Sequence, residues 1–88
     1  MANWKHKLNL TDVFHNDEVT LTDKTNTIIR RIEKAPWYEE SNYNGELEEI
    51  LEELNDAAED NDLKWWDSAW AAFYDIADAD RIWVRTRV

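Results

Sequence analysis

The chain has no cysteine, one glycine and one proline among its 88 residues. Without cysteine there is no disulfide, no thiolate metal site and no cysteine nucleophile. A small domain that stands without such staples suits a reducing compartment, so the expected location is the cytoplasm. A single glycine excludes the glycine-rich loops that cradle nucleotide phosphates, and with them Rossmann and Walker-type nucleotide binding. Long apolar runs are missing too. No window approaches the roughly eighteen apolar residues that would span a bilayer, and the start Met1-Ala2-Asn3-Trp4-Lys5-His6-Lys7 has no apolar signal core, so neither secretion nor a membrane partner is expected.

Positive charge is the scarcest commodity in the middle of the chain. Between Glu39 and Asp62 there are eleven carboxylates and no Lys or Arg. Residues 1–34 hold six basic and five acidic side chains, residues 35–80 one and fifteen, and residues 81–88 three and none. The chain is thus polar along its length, with a formal net charge of -10. Such a surface repels nucleic acid and anionic lipid and steers cationic partners toward its acidic side. If the acidic block is largely helical, it places about one negative charge per 3.3 Å, close to one strand of duplex DNA.

What is present in quantity is apolar and aromatic. A hydrophobic fraction of 43%, with six Trp, three Tyr and two Phe, predicts a folded chain rather than a disordered one. Residues 1–88 are expected to form a single domain, because a chain this short cannot divide into two cores.

Trp4, His6, Leu8 and Leu10 alternate with polar residues, which predicts a half-buried strand. Thr11 to His15 reads as a helical turn with Phe14 as a core anchor. Thr20 or Thr22 caps a helix from Thr22 to Lys34, which carries Ile28, Ile29 and Ile32 on one face and stops before Pro36. Asn44-Gly45 offers the start of a third helix, with Leu47, Ile50, Leu51, Leu54 and Ala57 in a continuous apolar stripe. Its Glu residues form i,i+4 like-charge pairs (Glu48 with Glu52, Glu49 with Glu53, Glu52 with Asp56), so it depends on tertiary packing. Asn61 or Asp62 caps a fourth helix, in which Leu63, Trp66, Trp70, Phe73 and Ala77 make one stripe and Trp65, Ala69, Ala72 and Ile76 another. So broad an arc predicts the central, most buried helix. Ile82, Val84, Thr86 and Val88 then alternate with Arg81, Trp83, Arg85 and Arg87 in a closing strand.

The expected fold class is α+β: a small, mostly helical domain of three to four helices packed on a two-stranded antiparallel ribbon formed by the N- and C-terminal strands. With the even-numbered residues facing the helices, the outer face of the ribbon carries Lys5, Lys7, Arg81, Arg85 and Arg87 around Trp83. Trp65, Trp37, Tyr38 and Trp83 are candidates for partial exposure, where Trp serves as an interface anchor.

Catalytic and metal chemistry finds little support. His6 and His15 have no partner at a metal-ligand spacing. Asp56, Glu59, Asp60 and Asp62 lack the glycine and the twelfth-position Glu of an EF-hand loop. Paired carboxylates need a partly dry cleft that separates their pKa values, and an exposed helix face is not one. No cofactor, metal or catalytic residue is expected. The bland account of the acidic block is a solvated helix face that keeps the protein monomeric. Against it stands the lack of lysines at i+4, which a helix shaped only for solubility would gain from.

The segments "WKHKLNLTDVFHND", "IIRRIEKAPWYEES", "GELEEILEEL" and "WAAFYDIADADRIWVRT" together give the chain a form that resembles small acidic accessory proteins encoded by bacteriophages of actinobacteria. The resemblance covers most of the chain and brings no established site residues. It implies a phage context in the host cytoplasm, where small acidic proteins bind and disable restriction, CRISPR or transcription complexes.

The expected function is therefore a non-catalytic acidic protein that binds and inhibits or modulates a host protein that is basic or binds nucleic acid, either by mimicking the nucleic-acid backbone or by simply complementing a basic surface. Direct nucleic-acid binding is not expected. The expected contact residues are Glu46, Glu48, Glu49, Glu52, Glu53, Asp56, Glu59 and Asp60, with Trp65 as anchor. The alternatives are self-assembly, with the basic ribbon of one copy on the acidic helix of the next, and an antitoxin-like partnership with one basic protein.

Overall fold

A computed structural model describes residues 4–86. The element order is β1 (His6–Asn9), α1 (Thr11–Phe14), α2 (Leu21–Lys34), α3 (Asn44–Glu59), α4 (Leu63–Ala79) and β2 (Ile82–Arg85). Both terminal strands, and every helix that the periodicity predicts, are present. Among the described residues no helix is long and apolar enough to cross a membrane.

Capping chemistry sets the helix bounds. The Thr20 hydroxyl accepts the Asp23 N–H at 3.1 Å, so α2 starts at Leu21, one residue before the expected start. It stops at Lys34 because Ala35, held extended before Pro36, cannot continue it. The Asp62 carboxylate accepts the Trp65 N–H at 3.0 Å and opens α4. Just before it, α3 closes on Asn61 in the left-handed region (φ 52°). The Asn61 N–H donates to Ala58 O and the Asp62 N–H to Ala57 O, at 3.1 and 2.9 Å. This is a Schellman closure, and Asn tolerates the conformation better than most residues.

The core is one continuous cluster. Leu47, Ile50, Leu51, Leu54, Ala57 and Ala58 of α3 pack against α4, which contributes Trp66, Ala69, Trp70, Phe73 and Ala77. Ile28 and Ile32 of α2, together with Leu8, Leu10, Val13, Trp37, Tyr38 and Ile82, complete it. Each buried Val, Leu, Ile or Phe side chain among these contributes about 1.5–3 kcal/mol, and each Ala methyl less. Trp66 and Trp70 stack with centroids 5.8 Å apart, and Phe14 and Phe73 lie 5.1 and 5.0 Å from Trp70. The Trp66 indole N–H donates at 2.9 Å to Thr25 Oγ1, whose own hydroxyl donates to Leu21 O. Thr25 is thereby the one polar residue in the buried set.

Four expectations are corrected. The ribbon is parallel, not antiparallel: His6 pairs with Ile82 and Asn9 with Arg85. Alternation identifies which strands pair but not their relative sense. An odd number of helical passes between two strands returns the chain in its starting direction, and three long helices lie between β1 and β2. Secondly, Trp37 and Tyr38 are buried, because the turn after Pro36 packs them into the hydrophobic core. Thirdly, α4 is not the most buried helix. It buries five residues to six on α3, Leu63 at its start is 59% exposed, and Trp65, Ala72 and Ile76 are only half-buried. Finally, Trp4 precedes β1 and is exposed. The odd-numbered residues Lys5, Lys7, Arg81, Trp83 and Arg85 do face outward, while Arg87 and Val88 lie outside the described residues.

Candidate partner-binding surface

At about 100° per residue, the buried positions of α3 fall in an arc of roughly 120°, and Glu46, Glu48, Glu49, Glu52, Glu53, Asp56, Glu59 and Asp60 in an opposing arc of roughly 160°. All eight are exposed. The helix is 16 residues long, about 24 Å, so the block is shorter than a fully helical Glu39–Asp62 would be. Glu39 and Glu40 sit in the turn before it and Asp62 at the next helix cap. Charge spacing along the axis nevertheless stays at about 3.3 Å, from seven carboxylates between Glu46 and Glu59.

Nothing on the helix offsets this charge. Among the described residues the one salt bridge joins Arg31 to Asp12, on the other side of α2 from the α3 groove. The last turn of α3 has no basic residue, so Glu59 and Asp60 meet the negative end of the helix dipole. The first turn is better served, with Glu46 near the positive end.

Three hollows adjoin this face. A groove of about 530 Å³ runs between α2 and α3, with Glu33, Glu48, Glu49 and Glu52 on its walls and Ile29, Tyr38 and Leu51 beneath. A smaller one of about 330 Å³ is lined by Glu49, Glu52, Glu53 and Asp56 alone. Glu46 and Glu49 border a third with Asn42, Tyr43 and Gly45. No cationic side chain lines any of them. Glu59 and Asp60 extend the charge past these hollows toward the α3–α4 corner. Trp65, half-buried against the core, lines none of them, and the groove's aromatic is Tyr38 instead.

Tyr38 is held in place by the connection it belongs to. Asn44 Nδ2 donates to Tyr38 O at 3.0 Å, and Ser41 Oγ donates to Asp80 at 2.8 Å while accepting the Tyr43 N–H. Burial pushes the Tyr38 phenol above its ordinary value, and the charges of Glu33 and Glu48 push it the same way.

Sequence reasoning missed Glu33, Asn26, Ile29 and Asn55 as lining residues, and it offered Tyr38 as a partly exposed anchor, whereas Tyr38 is buried at the base of the groove. Asn26, Ile29 and Glu33 share one face of α2 at helical spacing, a signal that was present but needed the knowledge that α2 lies beside α3. Ionised carboxylates only accept, and a row of them suits Lys ammonium groups and bidentate Arg. Among the described residues no group of three or more His, Asp or Glu is arranged to hold a metal ion. Comparison of the chain with protein-family models, with curated proteins and with solved structures finds no match, so the reading of this surface rests on its own residues and geometry.

Proposed function

We propose that the acidic face of α3, with the α2–α3 groove, binds the Lys/Arg surface of a nucleic-acid-binding host protein and occludes it, the chain acting without catalysis as a backbone mimic. The observation that carries this reading is eight exposed carboxylates in one arc with no compensating cation among the described residues. A helix under selection for stability alone would gain from mixed signs, and this one forgoes that gain along its whole face. The phage resemblance favours a host-directed inhibitor acting in the host cytoplasm.

The test is capture from an actinobacterial lysate with the tagged protein and with an E48Q/E49Q/E52Q/E53Q/D56N variant, across a salt series. The expected result is a nucleic-acid-binding protein held by the wild type, released as salt rises and not captured by the folded variant. Equal capture by both would end the proposal.

The outward ribbon face favours a second reading. Lys5, Lys7 and Arg81 surround Trp83, which is 37% exposed, and could meet the α3 face of another copy. Light scattering separates the two, because a monomer at every concentration and salt excludes self-assembly.

A further inference from the structure

A two-stranded ribbon leaves one edge of β1 unpaired. Across the ribbon, the Lys5 and His6 N–H groups both donate to Arg81 O, at 2.8 and 3.3 Å, and the Leu10 N–H donates to Arg85 O at 2.8 Å. Within β1 itself the even-numbered residues therefore bond to β2, and the N–H and C=O groups of Lys7 and Asn9 point to the open side. Asn9 O confirms this direction, since Arg31 Nη1 of α2 reaches it at 3.3 Å.

The rest of that edge borders a groove of about 580 Å³ between β1 and the end of α2. Its charged lining is Lys5, Lys7, Arg31 and Lys34, with no carboxylate. Arg31 is oriented by both Asp12 oxygens at 2.7 Å, and the three lysines are exposed. The groove is thus a cationic hollow on a molecule of net charge -10. Trp37 also lines it, and its buried indole N–H has no acceptor among the described residues.

We propose that the open edge of β1 takes up an extended acidic peptide segment of a partner protein as a third strand. Main-chain bonds to the Lys7 N–H and C=O and to the Asn9 N–H supply affinity, and carboxylates facing Lys5 and Lys34 supply selectivity. Four extended residues span about 13 Å, the length of β1. Charge complementarity selects an acidic segment, and the exposed backbone groups select an extended one, because a helix has already satisfied its own. This site is independent of the α3 face, so either can fail without the other.

The probe is a short peptide alternating Glu and Val, titrated into the isotope-labelled protein at low salt and followed by NMR. The expected result is a shift and slowed hydrogen exchange of the Lys7 and Asn9 amides. Both are lost with a Lys/Val peptide, with a Glu/Val peptide N-methylated at every residue, and in a K5E/K34E variant. No response at Lys7 and Asn9 would overturn the proposal. So would an equal response to the N-methylated peptide or to a short DNA duplex, which marks plain anion binding. A response to raised protein concentration alone would overturn it in favour of a second copy.

Discussion

Individual residues divide into those that hold the fold and those that charge it. Thr25 belongs to the first group, as the acceptor for the buried Trp66 indole. Thr25→Val preserves shape but strands that N–H, and is expected to cost about 1–3 kcal/mol in denaturant unfolding. A variant as stable as the wild type would show that the bond carries no weight. Asp12 is held at about 2, chiefly by its hydrogen bonds from Arg31, against an ordinary 3.8. A carboxyl depressed in the folded state adds stability above its unfolded value, and that contribution disappears as pH falls through the folded one. Asp12→Asn is therefore expected to be less stable than the wild type above about pH 4, with the gap closing toward pH 2. A gap that stays constant over this window would contradict the assignment. Residue-level burial was only partly legible. The helical stripes gave Leu47, Ile50, Leu54, Trp66 and Phe73 directly, whereas Trp37 and Tyr38 follow a proline turn whose path no periodicity encodes.

At the level of elements, α3 combines a complete apolar stripe with an uncompensated acidic arc. Its packing is strong and its electrostatics are adverse, which predicts that stability and binding pull in opposite directions. Asp56→Lys places a lysine four residues after Glu52 and nearer the C-terminal end of the helix dipole. It is expected to raise stability by roughly 0.5–1 kcal/mol and the melting temperature by a few degrees, while weakening capture of the partner. An unchanged or lower melting temperature would remove the argument that α3 is strained by its own charge. Residue type narrowed the caps to Thr20 or Thr22 and to Asn61 or Asp62, of which Thr20 and Asp62 serve, and the Asn44 start and the two terminal strands could be read in the same way. The parallel sense could not, because it depends on how three helices pass between the strands rather than on any property of either strand. The α2 wall of the acidic groove was hidden for the same reason.

The whole molecule measures 34 × 29 × 22 Å and separates an acidic helical side from a cationic ribbon and groove. At physiological salt the screening length is about 8 Å, so the two act as distinct surfaces rather than cancelling. Self-repulsion within the acidic side predicts that melting temperature climbs as sodium chloride rises from low concentration to about 0.5 M, where screening is strong. A melting temperature that falls over this range would mean that attractive pairs dominate. Binding through the α3 face is expected to respond in the opposite sense, and competition by duplex DNA for the captured partner tests that claim most directly. The account predicts that DNA displaces the protein and that affinity drops steeply between about 50 and 200 mM salt, as for phosphate contacts. A complex indifferent to both DNA and salt would contradict it.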